Sequence, residues 1–432
     1  MSDVLRVGLA GLGTVGGGVV AMLAANTDVV AARAGRRIEV VAVAARDRGR
    51  DRGLALGTAQ WFGDAAVMAA DAGVDVVVEA IGGSEGIAKR VVETALAAGK
   101  PVVTANKALL AVHGAALARA AETHGVALAF EAAVAGGIPV IKALREGLAG
   151  NRIVSVAGIL NGTCNHILTT MRNEKRDFAD VLAEAQALGY AEADPSFDVD
   201  GVDAAHKLAI LAAIAFGRPV AFGAVHVEGI RRVSMLDIGF AEELGYRIKL
   251  LGIARREGRG ISTRVHPCML PASAPLARVD GVFNAVVAVG DHVGRLMLEG
   301  RGAGAGPTAS AVVADLIDIA RGRAAPVWGA GSLDLSDAPS VAMEEHVGPA
   351  YLRLLVVDRP GVIADVTAIL RDEGVSLGSM LQHGRKPGEA VAVVMVTHDA
   401  LESAIDAALA RIDALDSVLE KPVRIRIELG EA

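Results

Sequence analysis

Residues Gly11-Leu12-Gly13-Thr14-Val15-Gly16 narrow the possible folds more than any other stretch of the chain. They follow a short apolar run at 5–10 and open a segment, 15–25, with helical apolar spacing. In such a strand–turn–helix unit the first glycine permits a tight turn and the second lets the backbone approach a pyrophosphate. The third lets helix and strand pack closely, and the helix N-terminus is left facing the anion. Because the chain holds 51 glycines, a bare strand-to-helix turn is the alternative. The sequence that follows favours the nucleotide reading. Residues 38–44, 74–78, 102–104 and 127–130 are further strand-like runs, with helical segments such as 87–98 between them. Alternating units of this kind predict a parallel sheet covered on both faces, a Rossmann-type dinucleotide-binding domain over 1–135.

Beyond residue 150 the alternation stops. Strand-like runs at 153–160, 286–289 and 295–298 mix with helical segments at 178–188 and 203–216, the signature of an α+β domain. A glycine-rich stretch at 300–310 opens a helix running to Ala320, and 326–350 reads as a linker rich in Pro, Gly and Ser. The last 80 or so residues restart cleanly. Strands at 351–357, 375–383, 391–397 and 423–429 and helices at 361–372 and 401–415 give the order βαββαβ, a ferredoxin-like module.

Composition removes several classes of function. With 43 basic against 50 acidic residues and 3% aromatics, neither a nucleic-acid groove nor a base-stacking platform is expected. Although 52% of residues are hydrophobic, the apolar run at 208–217 ends at Arg218, short of the roughly 20 residues a bilayer span requires. The first residues lead straight into the glycine turn, with an acid at Asp3, which is unlike a signal peptide. Cys164 and Cys268 form no CxxC pair, so a cytoplasmic protein without disulfide framework or thiolate zinc site is expected.

Two clusters carry chemistry. At the end of the second predicted strand, where an acid would grip the ribose of NAD, stand Arg46, Arg48, Arg50 and Arg52, which suit the 2′-phosphate of NADP. Asp47 and Asp51 make a solvated charged loop the alternative, and leave NAD open. Further on, Glu192, Asp194, Asp198, Asp200 and Asp203 precede Lys207. Asp203 and Lys207 stand at i and i+4 on a helix that is apolar nearly all round, so their pair is predicted to be buried and to have a task. A lysine with acidic partners in a low-dielectric cleft can give or take a proton at an oxygen, and surplus carboxylates can hold a substrate ammonium. Lys107, just past a predicted parallel strand, lies where ligands of open α/β sheets sit. Asn161-Gly162-Thr163-Cys164-Asn165 also follows a strand. It reads either as a site loop or as a capped turn, and Cys164 would be the nucleophile if the chemistry were that of a semialdehyde dehydrogenase.

Together GLGTVG, TANKALL, EAAVAGGIP, GILNGTCNHIL and ALGYAEADPSFDVDGVDAAHKLAIL resemble homoserine dehydrogenase over residues 5–320. The resemblance is to the monofunctional form, which interconverts L-aspartate 4-semialdehyde and L-homoserine with NAD(P)H. It implies Lys207 as proton donor, Lys107 as the second lysine of the reaction centre, and Glu192, Asp203 and Asp198 as substrate-binding acids. Gly11, Gly13, Thr14, Val15, Gly16, Arg46, Lys107, Gly189 and Gly304 match cofactor-side positions. Glu131, Val134, Gly136 and Ile138 match a loop whose carbonyls hold a monovalent cation, Na+ or K+. A substrate and dimerisation domain over 136–305 and a helix at 306–325 packed back on the nucleotide domain are implied, with a homodimer or homotetramer as the assembly. DRPGVIAD (358–365) resembles an ACT domain, placing a regulatory module at 351–432 with L-threonine as the implied effector. An amino-acid sensor without catalysis is the alternative use of such a module.

Overall fold

Short β-branched runs separated by glycine-stopped helices build the first sheet of the computed structural model, which describes residues 3–336, 338–384 and 388–428. Strands β1 (Val4–Ala10), β2 (Arg37–Ala44), β3 (Gln60–Phe62), β4 (Val76–Glu79), β5 (Val102–Thr104) and β6 (Leu128–Ala129) are parallel, in the order β3-β2-β1-β4-β5-β6. Helices α1 (Thr14–Ala25), α2 (Thr27–Ala34), α3 (Ala65–Ala70), α4 (Ile87–Ala97) and α5 (Lys107–Thr123) connect them. The order reverses between β1 and β4, and ligands of such sheets lie outside the strand ends at that switch. Val7 and Leu9 on one face of β1 and Ala10 on the other are fully buried, as a strand covered on both faces requires.

Two compact units divide the chain: residues up to 162 with 203–225 and 282–339, and residues 163–202 with 226–281 and 340 onwards. In the first, the helix Ala305–Ala320 lies against α1, burying Val312 and Leu316 in one cluster with Val19 and Leu23. Gly18 allows the approach, because a Cβ there would stand 2.5 Å from the Ala305 carbonyl oxygen. This unit also holds an antiparallel set formed by Ile153–Ile159, Phe283–Gly290 and Gly294–Arg301. Trp328 is fully buried, its ring 5.3 Å from that of Phe130, in a space that Gly114 of α5 leaves open.

The second unit contains a long hairpin, Tyr246–Glu257 and Gly260–Pro271, that apolar periodicity does not mark. Charged residues interrupt its pattern, yet several are buried and satisfied. Lys249 is 1% exposed and donates to Asn165 Oδ1 at 2.9 Å, the Val279 carbonyl at 2.6 Å and Asp280 Oδ1 at 3.0 Å. Burial pushes its ammonium down to about 8 against the pull of Asp280. Beyond it the tail folds as Ala350–Val357, Val362–Asp372, Leu377–Gln382, Ala390–Thr397, Glu402–Asp413 and Val423–Ile427. Its strands pair antiparallel in the ferredoxin-like order 4-1-3-2. Leu429, expected to end the last strand, lies outside the described residues. That strand also pairs in parallel with the hairpin, Cys268 opposite Arg426.

Candidate active site

The glycine turn supplies backbone geometry rather than side chains. Gly11 sits at φ +99°, and a Cβ on it would come within 2.5 Å of the Ala80 carbonyl oxygen. Gly16 faces the Gly11 carbonyl so closely that a Cβ would stand 2.0 Å from its oxygen. In contrast, a Cβ on Gly13, the N-cap of α1, would meet nothing within 4 Å. The turn is therefore tight behind and open in front, where the α1 N-terminus faces a cleft of about 1310 Å³. Gly11, Gly13, Thr14 and Arg46 line that cleft, joined by Arg50, Arg52 and Ala305. Such a cradle, open over backbone N–H groups and rimmed by arginines, fits a dinucleotide. Val15 turns inward onto the apolar core of the sheet, and Gly304, at φ +117°, caps the helix whose first residue lines the cleft.

The second centre forms where the helix Val202–Phe216 meets the end of the strand Ile153–Ile159. Lys207, 9% exposed, donates to Asp203 Oδ2 at 2.7 Å and to the Leu160 carbonyl at 2.7 Å. Asn161 Nδ2 donates to the same Asp203 oxygen at 2.8 Å, while Lys107 Nζ stands 3.1 Å from Oδ1. Burial opposes ionisation of Asp203, but the fields of Lys207 and Lys107 and its hydrogen bonds win, holding the carboxyl well below the usual carboxylate range. An ammonium has three donors. Among the described residues two of Lys207's are engaged, which leaves one for the oxygen of a ligand. Lys107 reaches this cluster from the first turn of α5 and is not among the cleft-lining residues. Of the cations near the helix, His206 is pushed towards its neutral form by burial, against the pull of Asp203.

Two of the other acids before Lys207 have partners of their own. Asp194 accepts from the Ser196 N–H at 3.1 Å, and Asp200 pairs with Arg231. Glu192 is exposed and its carbonyl accepts from Gln186 Nε2 at 3.0 Å; the Asp198 carbonyl accepts from the Cys164 thiol at 3.2 Å. Gly189, at φ +75°, follows the helix Phe178–Ala187. All of these belong to the second unit. Cys164 itself is fully buried, a poor setting for a nucleophile.

At 131–138 the chain is irregular yet largely buried, and Ala135 and Gly136 adopt φ of +56° and +54°. Glu131 accepts from the N–H groups of Ile141 at 2.8 Å and Lys142 at 2.9 Å. Burial, reinforced by Asp315, pushes it up to about 7. Among the described residues no hydrogen bond reaches the carbonyls of Val134 or Gly136, whereas the Ile138 carbonyl accepts from Val140 N at 2.7 Å. Buried carbonyls without donors suit a hard cation. Sequence reasoning missed the residues that fasten the site from behind. Glu79, fully buried at the end of β4, accepts from the N–H groups of Ile81 at 2.8 Å and Gly82 at 3.0 Å, and from the Thr104 hydroxyl at 2.6 Å. The only signal was an acid ending an apolar run, VDVVVEA.

A parallel sheet with a dinucleotide cradle, a lysine–aspartate–lysine array around a buried carboxylate and a ferredoxin-like tail define a nicotinamide-dinucleotide oxidoreductase with an appended ACT module. Family comparisons agree in every part: residues 11–131 match the homoserine dehydrogenase NAD-binding domain, 139–317 homoserine dehydrogenase and 350–416 the ACT domain. The homoserine dehydrogenase of Pseudomonas aeruginosa is 49% identical, with 98% of this chain and 99% of that one covered. The crystal structure of a homoserine dehydrogenase from Thiobacillus denitrificans superposes with a TM-score of 0.94 at 49% identity, covering 99% of this chain and 98% of that one. A hyperthermophilic archaeal homoserine dehydrogenase in complex with NADPH matches at TM-score 0.62 and 27% identity, over 73% of this chain and 97% of that one. The chain belongs to the homoserine dehydrogenase family.

Proposed function

We propose that the chain reduces L-aspartate 4-semialdehyde reversibly to L-homoserine, with Lys207 as the acid that delivers a proton to the carbonyl oxygen. The observation that carries this reading is the Lys207 ammonium, nearly buried, with two of its donors fixed by Asp203 and the Leu160 carbonyl. Asp203 holds Lys207 in place, and the same carboxylate holds Lys107 beside it. Lys107 orients or polarises the reacting oxygen. Glu192 and Asp198 are assigned, with Asp203, to the substrate's polar groups, its ammonium foremost. A bound nicotinamide dinucleotide supplies the hydride. The chain's part is to seat it on the Gly11–Gly16 backbone and to hold the proton donor ready.

NADP is the assigned cofactor, with NAD as the second choice, because Arg46, Arg50 and Arg52 line the cleft where a 2′-phosphate is recognised. A monovalent cation, Na+ or K+, is assigned to the carbonyls of Val134, Gly136 and Ile138 and to Glu131, where it stabilises an irregular buried loop. The ACT module is assigned L-threonine as effector, and the chain is read as a cytoplasmic homodimer or homotetramer. The domain scheme keeps a nucleotide domain over 1–135, a substrate and dimerisation domain over 136–305 and a regulatory domain over 351–432. Oxidation of homoserine followed at 340 nm with NADP and with NAD, each with and without threonine, tests the reaction, cofactor and effector assignments together. Faster turnover with NADP and loss of rate on adding threonine are expected. Equal use of both dinucleotides, or indifference to threonine, would remove the corresponding assignment.

A further inference from the structure

We propose that Glu79 is a positioning residue that ties the cofactor turn to the Lys107 ammonium through the Thr104 hydroxyl; the idea rests on the role given to Lys107 above. Glu79 ends β4 with its carboxylate fully buried, and its two oxygens serve different structures. Oε1 accepts from the N–H groups of Ile81 and Gly82, fixing a turn whose residues Ala80 and Ile81 line the dinucleotide cleft. Behind that turn, the Ala80 carbonyl is the atom that Gly11 must leave room for. Oε2 accepts from the Thr104 hydroxyl on the neighbouring strand β5.

The second branch continues to the lysine. Thr104 Oγ1, having donated its proton to Glu79, accepts from the Asn106 N–H at 3.0 Å. Asn106 donates from Nδ2 to the Gly83 carbonyl at 2.7 Å and accepts at Oδ1 from the Leu109 N–H at 3.1 Å, capping α5. Lys107 is the first residue of that helix, and its Nζ is the one 3.1 Å from Asp203. One carboxylate therefore sets both the cofactor-facing turn and the start of the helix that delivers Lys107. An acceptor-only group is what this requires. An amide in its place would either set a donor against the Ile81 and Gly82 N–H groups or leave the Thr104 proton without its acceptor, and its uncharged oxygen would hold the remaining branch more weakly than a carboxylate does.

The two branches can be cut separately in the full-length protein. Thr104→Val removes only the hydroxyl and is expected to lower kcat about 30-fold with NADPH affinity within about two-fold of the parent, as misplacing a reaction-centre group does. Glu79→Gln is expected to match that kcat loss and also to weaken NADPH, read by fluorescence titration, at least about five-fold. Thr104→Ser returns the hydroxyl and should recover most of the loss, a rescue that filling space alone would not give. Parent-like kcat in Thr104→Val, or NADPH weakening in Thr104→Val equal to that in Glu79→Gln, would overturn the inference. If Glu79→Gln does not fold, the Thr104 pair decides alone. Lys107→Met separates the layers: parent-like activity there defeats the reading of Lys107. Loss there with a silent Thr104→Val defeats only the coupling.

Discussion

The glycine turn at 11–16 and the helix Val202–Phe216 build their sites by opposite means. The turn works by what it lacks: without Cβ atoms at Gly11 and Gly16 the backbone folds tightly and presents N–H groups to the cleft. The helix works by what it buries, an ion pair inside an apolar stretch, where charges interact strongly because water is excluded. A site of the first kind is contiguous in sequence. One of the second kind needs distant contributors, here Leu160, Asn161 and Lys107, to complete a pair that lies on one helix.

If that contrast is right, substitutions should separate binding from chemistry. Lys207→Ala is expected to reduce kcat by about 10³-fold, within the range for loss of a general acid, with dinucleotide affinity unchanged. Gly16→Ala should do the reverse. Its Cβ meets the Gly11 carbonyl, so NADPH titration should show affinity falling by roughly 10²-fold, at some cost in melting temperature. A smaller change is expected from Arg46→Ser, which should lower the NADP-over-NAD ratio of kcat/KM about ten-fold through loss of a charge-assisted contact.

Asp203→Asn tests the electrostatic half of the comparison in the folded state itself. Because the Asp203 carboxyl is lower in the folded chain than in the unfolded one, its stabilisation is fully present above the unfolded value of about 3.9. It is lost as pH falls through the lower folded value. The acid limb of a stability–pH profile should therefore be shallower for Asp203→Asn than for the parent. Identical limbs would mean that the two lysines do not hold the carboxylate.

The parallel sheet and the βαββαβ tail were legible because their strands are short, apolar and bounded by turn residues. The hairpin Tyr246–Pro271 was not, since Lys249 and Arg264 are buried with partners that only the tertiary fold supplies: Asp280 and Asn165 for one, Glu428 for the other. In the site, Asp203 and Lys207 could be read from helical spacing, and Arg46 from its place after β2. The acidity of 192–203 misled in part. Asp194 and Asp200 serve a turn and an arginine within their own unit, so the run includes two acids with local partners that spacing does not reveal. Glu79 stayed hidden because its partners, Ile81 and Gly82 apart, are 25 residues away at Thr104.

The most direct test of the central claim, that the Lys207 ammonium is the proton donor, is amine rescue of Lys207→Ala. Reduction of L-aspartate 4-semialdehyde would be followed with saturating NADPH while methylammonium or ethylammonium is titrated into the variant. The account predicts a rate that is very low without amine and rises with amine concentration, while the parent is indifferent to it. Turnover near the parent's in the absence of amine would contradict the account.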